Sequence, residues 1–156
     1  MKKELIILTL LFLHSCNPKK YDFKLDNKWV LLTTEINNED IKDRIIHNQL
    51  LSFTIRDKKF YPAIRFNNSD STVLVPGKNN TKEILYYSTD QSFRNLKFYK
   101  KENSTEKSFL DSLFVNSFTI KKDNRNGDVI LKSENIKIRM MPAERFANRI
   151  KASELD

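Results

Sequence analysis

Glycine is almost absent: Gly77 and Gly127 are the only two in 156 residues. Phosphate-cradling loops and dinucleotide fingerprints need several glycines close together, because the backbone must turn sharply and approach the ligand. Neither is available to this chain. Cysteine occurs once, at Cys16, so no intramolecular disulfide can form. Histidine is as scarce, at His14 and His47, which leaves little from which to build a metal site.

Long apolar runs are also missing, apart from one at the start. Lys2 and Lys3 precede Leu5 to Leu13, an apolar stretch broken only by Thr9. That is the layout of a secretory signal, and the run is too short to stay in a bilayer as a spanning helix. A plain signal would end at small residues in an Ala-x-Ala pattern. This one ends Leu13-His14-Ser15-Cys16, which resembles the lipobox of bacterial lipoproteins. The match has a branched apolar residue at minus three, a small one at minus one, and the obligatory cysteine; His14 stands where a small residue is usual. The resemblance implies cleavage after Ser15 and diacylglyceryl attachment at Cys16, usually with a further N-acyl chain. Each buried CH₂ contributes about 0.8 kcal/mol, so two or more chains hold a protein stably at a membrane. The expected organisation is a signal at 1–15, a lipidated Cys16 with a polar tether at 16–26, and a folded domain at 27–151. The expected location is the bacterial cell envelope, at the outer membrane, with the membrane itself as first partner.

Removing residues 1–15 leaves 141 residues, enough for one domain of ordinary size. The signal carries two Lys and one Glu, so the net charge falls from +8 to +7. Only His47 then remains, and no His-based triad with a cysteine nucleophile can be assembled. In a cytosolic chain this basic balance would suggest nucleic acid. Outside the cytoplasm the fitting anions are lipid headgroups, lipopolysaccharide phosphates and acidic glycans, or the charge simply keeps a small domain soluble. No nucleic-acid partner and no cofactor are expected.

From Asn27 onward the dominant hydrophobic period is two, the period of half-buried strands. Strands are predicted at Trp29–Ile36, Leu50–Arg56, Phe60–Phe66, Val73–Val75, Glu83–Ser88, Asn95–Lys100, Ser112–Lys121, Val129–Lys132 and Asn135–Met141. Residues 38–47 interrupt the pattern with acidic residues followed by Ile41 and Ile45, one helical turn apart, and read as a short helix or capped loop. Pro62 lacks a donor and argues for an edge or a bulge. Gly127 in the Asp123–Asp128 turn can take the positive φ of a hairpin. After Pro142, Ala143, Phe146, Ala147 and Ile150 fall on one face of a terminal helix. Eight or nine short strands at about ten-residue spacing favour an all-β sandwich or a closed antiparallel barrel.

Asn27-Lys28-Trp29 at the opening of the first strand is similar to the Gly-x-Trp start of lipocalins, with Asn27 in place of glycine. The strand meander, the helix-like segment after the first strand and the terminal helix are similar to small lipocalin-like lipoproteins. The resemblance covers about residues 27–150. It implies a small antiparallel β-barrel of about eight strands with a short N-terminal helix or loop and a C-terminal helix. It also implies a late arginine packed over the tryptophan: Arg139 by position, with Arg145 as second choice.

In such a barrel the inward side chains either fill the centre or leave room for one small ligand. Trp29, Phe53, Phe98 and Phe118 are the candidates to line that space. The basic and aromatic stripe from Arg94 to Lys101 fits either a strand with solvated lysines outside or a grip on an anionic polymer. Glu35, Asp40 and Asp43 are carboxylates with nothing to place two of them across a cleft, and His47 lies in a charged segment. No catalytic constellation emerges. Asp70-Ser71-Thr72 and Asp111-Ser112-Leu113 resemble an extracytoplasmic O-glycosylation motif, and turn chemistry explains them equally. Two functional readings follow, neither of them enzymatic. One is a barrel that carries a small apolar ligand or envelope component. The other is a protein-interaction module, such as an inhibitor or immunity-type lipoprotein, that meets an envelope protein through its outer surface. An open interior would favour the first and a filled interior the second.

Overall fold

The computed structural model describes residues 25–45, 52–54, 60–76, 82–101, 109–123 and 127–153. Cys16 and His47 lie outside the described residues, as does the side chain of Phe53. In chain order the elements are β1 (Asn27–Ile36), β2 (Glu39–Asp40), α1 (Lys42–Ile45), β3 (Ser52–Thr54), β4 (Phe60–Asn67), β5 (Thr72–Pro76), β6 (Lys82–Thr89), β7 (Asn95–Tyr99), α2 (Phe109–Phe114), β8 (Ser117–Lys122), β9 (Val129–Lys132), β10 (Ile136–Pro142) and α3 (Ala143–Ser153).

Every strand pairing is antiparallel. From β4 to β10 each strand pairs with the next, and β1 pairs with both β4 and β10, so eight strands close on themselves. The fold is a closed antiparallel β-barrel, one of the two all-β architectures that the strand spacing favours. Closure gives each of these eight strands a neighbour on both sides. β2 folds back on β1 as a two-residue hairpin, and β3 extends β4 beyond the point where β1 leaves it. Pro62 sits at that changeover: β4 pairs with β1 as far as Ala63 and with β3 from Pro62 onward.

Alternation sets the two faces of the wall. Leu85 and Tyr87 on β6, Leu96 and Phe98 on β7, Val129 and Leu131 on β9, and Ile138 and Met140 on β10 point inward into one cluster. β1 breaks the rule once. Leu31 pairs with Met140 and Thr33 with Arg139, so Leu32 is an extra residue. This bulge passes the inward face from Trp29 and Leu31 to Thr34 and Ile36, and re-aims the strand.

Helices close one end of the barrel. Ile41 and Ile45 of the α1 segment and Leu113 and Phe114 of α2 join the interior cluster. Asp40 starts α1 by accepting a hydrogen bond from the Lys42 amide at 2.9 Å. The segment expected as one strand from Ser112 to Lys121 is corrected here: it is α2 followed by β8. Leu113 and Phe114 are sequence neighbours that are both buried in one cluster, which the alternating faces of a strand cannot achieve. At the other end Leu25 is buried in the same cluster, below tight loops. Asp70 accepts from the Thr72 amide and hydroxyl, the turn chemistry expected of Asp-Ser-Thr. Gly127 takes φ +64° in the β8–β9 hairpin, as predicted.

The terminal helix packs outside. Phe146, Ala143 and Ile150 of α3 lie over Val30, Leu32, Met141 and Tyr61 on the outer wall. Phe146 meets Tyr61 edge-on, with ring centroids 5.0 Å apart.

Candidate functional site

The barrel interior is the first place to look for a ligand. Trp29, Phe98 and Phe118, three of the four side chains expected to line it, belong to one buried cluster. Phe98 is 1% and Phe118 2% exposed. The rings of Tyr87, Phe66, Phe98 and Phe118 form a continuous chain with centroid separations of 5.3, 6.0 and 5.8 Å. A cavity wide enough for an acyl chain would leave its lining side chains open to a water-sized sphere. Leu31, Ile64, Val73, Leu131 and Met140 show no such surface. Among the described residues the interior is a packed core, helped by the corks of α1, α2 and Leu25.

Trp29 is fixed by its indole Nε1, which donates to the Asp26 carbonyl at 2.9 Å. Arg139 does not share that space. Ile138 and Met140 on either side of it face inward, so Arg139 faces out. There its Nε and Nη2 donate to Asp128 Oδ2 at 2.8 and 2.6 Å. Arg145, the second choice, lies against Gly127 in the β8–β9 hairpin. Neither position matches an arginine packed over the tryptophan. The ion pair of Arg139 with Asp128 was not legible in the sequence: Asp128 is fully buried, and its Oδ1 has no hydrogen-bond partner among the described residues.

The clefts bounded by described residues lie on the outside. One is an open saddle of about 630 Å³ across β6 to β9, between Ser88, Asn95, Lys97, Ser117 and Lys132. At its rim Asp90 organises the β6–β7 turn. Its carboxylate accepts from the amides of Asn95 and Arg94 at 3.0 and 2.7 Å and from Ser92 Oγ at 2.9 Å. These bonds, the Asn95 amide foremost, hold the Asp90 carboxyl below the ordinary aspartate range. A second hollow, of about 420 Å³, lies at the end where β1 begins, between Asp26, Arg65, Asp70, Leu74 and Ile84.

Beside that hollow the outer wall carries apolar and aromatic side chains. Leu74 pairs with Ile84 across β5 and β6, and Tyr86 with Tyr99 across β6 and β7. Ile84 is 62% and Tyr99 40% exposed. The Tyr86 and Tyr99 rings stack with centroids 5.9 Å apart. The sequence signal for this patch was present: the alternation that sends Leu85 and Tyr87 inward sends Ile84 and Tyr86 out. The stripe at Arg94–Lys101 resolves in the same way, with Leu96 and Phe98 inside and Lys97 and Tyr99 outside.

Among the described residues the barrel interior is apolar, whereas the lumen of a membrane-spanning barrel is polar. Glu35 and Asp40 are cross-strand partners in the β1–β2 hairpin, but each is engaged in a structural role. Glu35 pairs with Lys137 at 3.0 Å across β1 and β10, and Asp40 caps α1. No group of three potential metal-binding side chains occurs among the described residues. Compared with known proteins, the chain matches no family model, no curated protein and no solved structure.

Proposed function

We propose that this chain is a lipid-anchored, lipocalin-like lipoprotein of the bacterial envelope that acts as a non-enzymatic binding module through its outer surface. The anchor is Cys16, the residue at which the apolar start of the chain ends in Leu-His-Ser-Cys. The observation that carries the choice of surface is the packed interior. Phe66, Phe98 and Phe118 occupy the centre where a carrier would hold its ligand. A small apolar molecule would have to displace well-packed rings, each worth about 3–5 kcal/mol in place. The outer wall needs no such rearrangement, and its saddle and its exposed Leu74–Ile84 patch are open as they stand. The partner on this reading is a protein or another large component of the envelope.

Native mass spectrometry of the protein extracted from its own envelope tests the proposal. The expected masses are the acylated chain alone and the acylated chain with a macromolecule. A small apolar molecule retained at one per chain would instead restore the reading of ligand carriage.

A further inference from the structure

The Leu74–Ile84 patch has a basic frame. Lys28 on β1 pairs with Arg65 on β4, Arg65 with Leu74 on β5, and Leu74 with Ile84 on β6. This row runs from cation to apolar side chain along the outside of the barrel. Lys82 pairs with Pro76, and Lys97 with Ser88, which frames the patch along the strands. Among the described residues, the outward positions of β4 to β7 hold no carboxylate. Asp26 and Asp70 stand at the margin where β1 begins. Burial first, and the neighbouring Arg65 second, lower the Lys28 pKa, so like charges are already crowded here.

The tether leaves the barrel at the same margin. Asp26 and Asn27 line the hollow together with Arg65, Leu74 and Ile84. Nine residue steps separate Cys16 from Leu25, a span of at most about 30 Å. That reach lets the bilayer that holds an acylated Cys16 meet this wall at the margin that Asp26 and Asn27 share with it. Tyrosines beside an exposed aliphatic side chain and lysines form a surface suited to the interface of a membrane with anionic headgroups.

We propose that the outer wall of β4 to β7, centred on Leu74, Ile84, Tyr86 and Tyr99, is the face this chain lays against an anionic bilayer. Arg65, Lys82 and Lys97 meet the headgroups, and Ile84 with the two tyrosines enters the interfacial layer. The inference deepens the envelope reading above and rests on it for the presence of a bilayer. The wall's affinity for lipid does not depend on acylation, so the two are tested apart.

The test uses residues 17–156, which hold every described element and contain no cysteine. Sedimentation with vesicles of phosphatidylglycerol and phosphatidylcholine in equal parts should show binding that weakens with salt, and pure phosphatidylcholine much less. Arg65→Glu should weaken binding about tenfold or more, since each cation near such a surface is worth about fivefold. Lys137→Glu on β10 makes the same charge change on the wall opposite β6 and should weaken it less than threefold. An environment-sensitive fluorophore on Ile84→Cys should shift to the blue on adding vesicles, while one on Lys137→Cys stays unchanged. Circular dichroism of each variant confirms the barrel. Absence of binding to the anionic vesicles, equal loss from the two charge reversals, or equal shifts at positions 84 and 137 would each overturn the proposal. Stoichiometric capture of a purified envelope protein at Ile84 with no vesicle binding would also overturn it, and would assign the wall to that protein.

Discussion

Arg139 holds the fully buried carboxylate of Asp128 with two nitrogens, at 2.8 and 2.6 Å, on the outside of the barrel beside the β8–β9 hairpin. The two partners are not equivalent. Asp128 has no solvent to fall back on and its Oδ1 lacks a partner among the described residues, whereas Arg139 is partly exposed and has Asp123 at 4.0 Å. Removing the arginine strands a buried charge, which costs about 3–5 kcal/mol. Removing the aspartate leaves a cation that water can reach. Denaturant midpoints of Arg139→Ala and Asp128→Ala should therefore differ, with the arginine variant at least twice as destabilised. Equal losses would mean that the pair contributes through packing alone.

Asp90 gives the fold an acid-sensitive turn. Its pKa is depressed in the folded chain, chiefly by the Asn95 amide. A group of this sign stabilises the fold above its unfolded pKa, and the contribution is lost as pH falls through the lower, folded value. The wild type should lose part of its stability below the ordinary aspartate range, and Asp90→Ala should lose less over the same window. Parallel acid titrations followed by circular dichroism would check this. The same slope in both proteins would remove Asp90 from the account.

The proposed anchor rests on one thiol. Cys16→Ser should abolish incorporation of a fatty-acid analogue in cells and release the chain from the membrane fraction or leave it as uncleaved precursor. Equal label in wild type and variant would end the lipoprotein reading, whatever the barrel does.

Much of this barrel was legible because burial on one face writes a period of two into the chain. Val129–Lys132 matches its strand residue for residue, and Phe146 with Ile150 marks the packed face of α3. The failures have local causes. The Leu32 bulge breaks the alternation of β1, and its shift of face needs the register with Met140 and Arg139 to be seen. α2 is six residues long, too short for a helical period to stand out from the strand that follows. Of Leu50–Arg56, the cleanest alternation in the sequence, Ser52–Thr54 is a strand and the remainder lies outside the described residues. The site was harder still. Periodicity says that Phe98 and Phe118 point inward, but whether the space they enter is filled depends on volumes contributed by β4, α2 and Leu25, far apart in sequence. The outward patch at Ile84 and Tyr86 was readable, but its basic frame appears only when Lys28 and Arg65 come into register.

The central claim is that the barrel is filled, and Phe118 tests it most directly. Its ring is 2% exposed and meets Phe98 edge-on at 5.8 Å. In a packed core, Phe118→Ala removes contacts on all sides and leaves a cavity, at a cost of about 3–5 kcal/mol. In an open barrel the same side chain borders empty space and its removal costs far less. The measurement is the denaturant midpoint of Phe118→Ala against wild type, with fluorescence of a fatty-acid-like probe titrated into the wild type. The account predicts the large loss and no saturable probe binding. A loss of about 1 kcal/mol or less, together with saturable binding of one probe per chain, would contradict it and return the function to the interior.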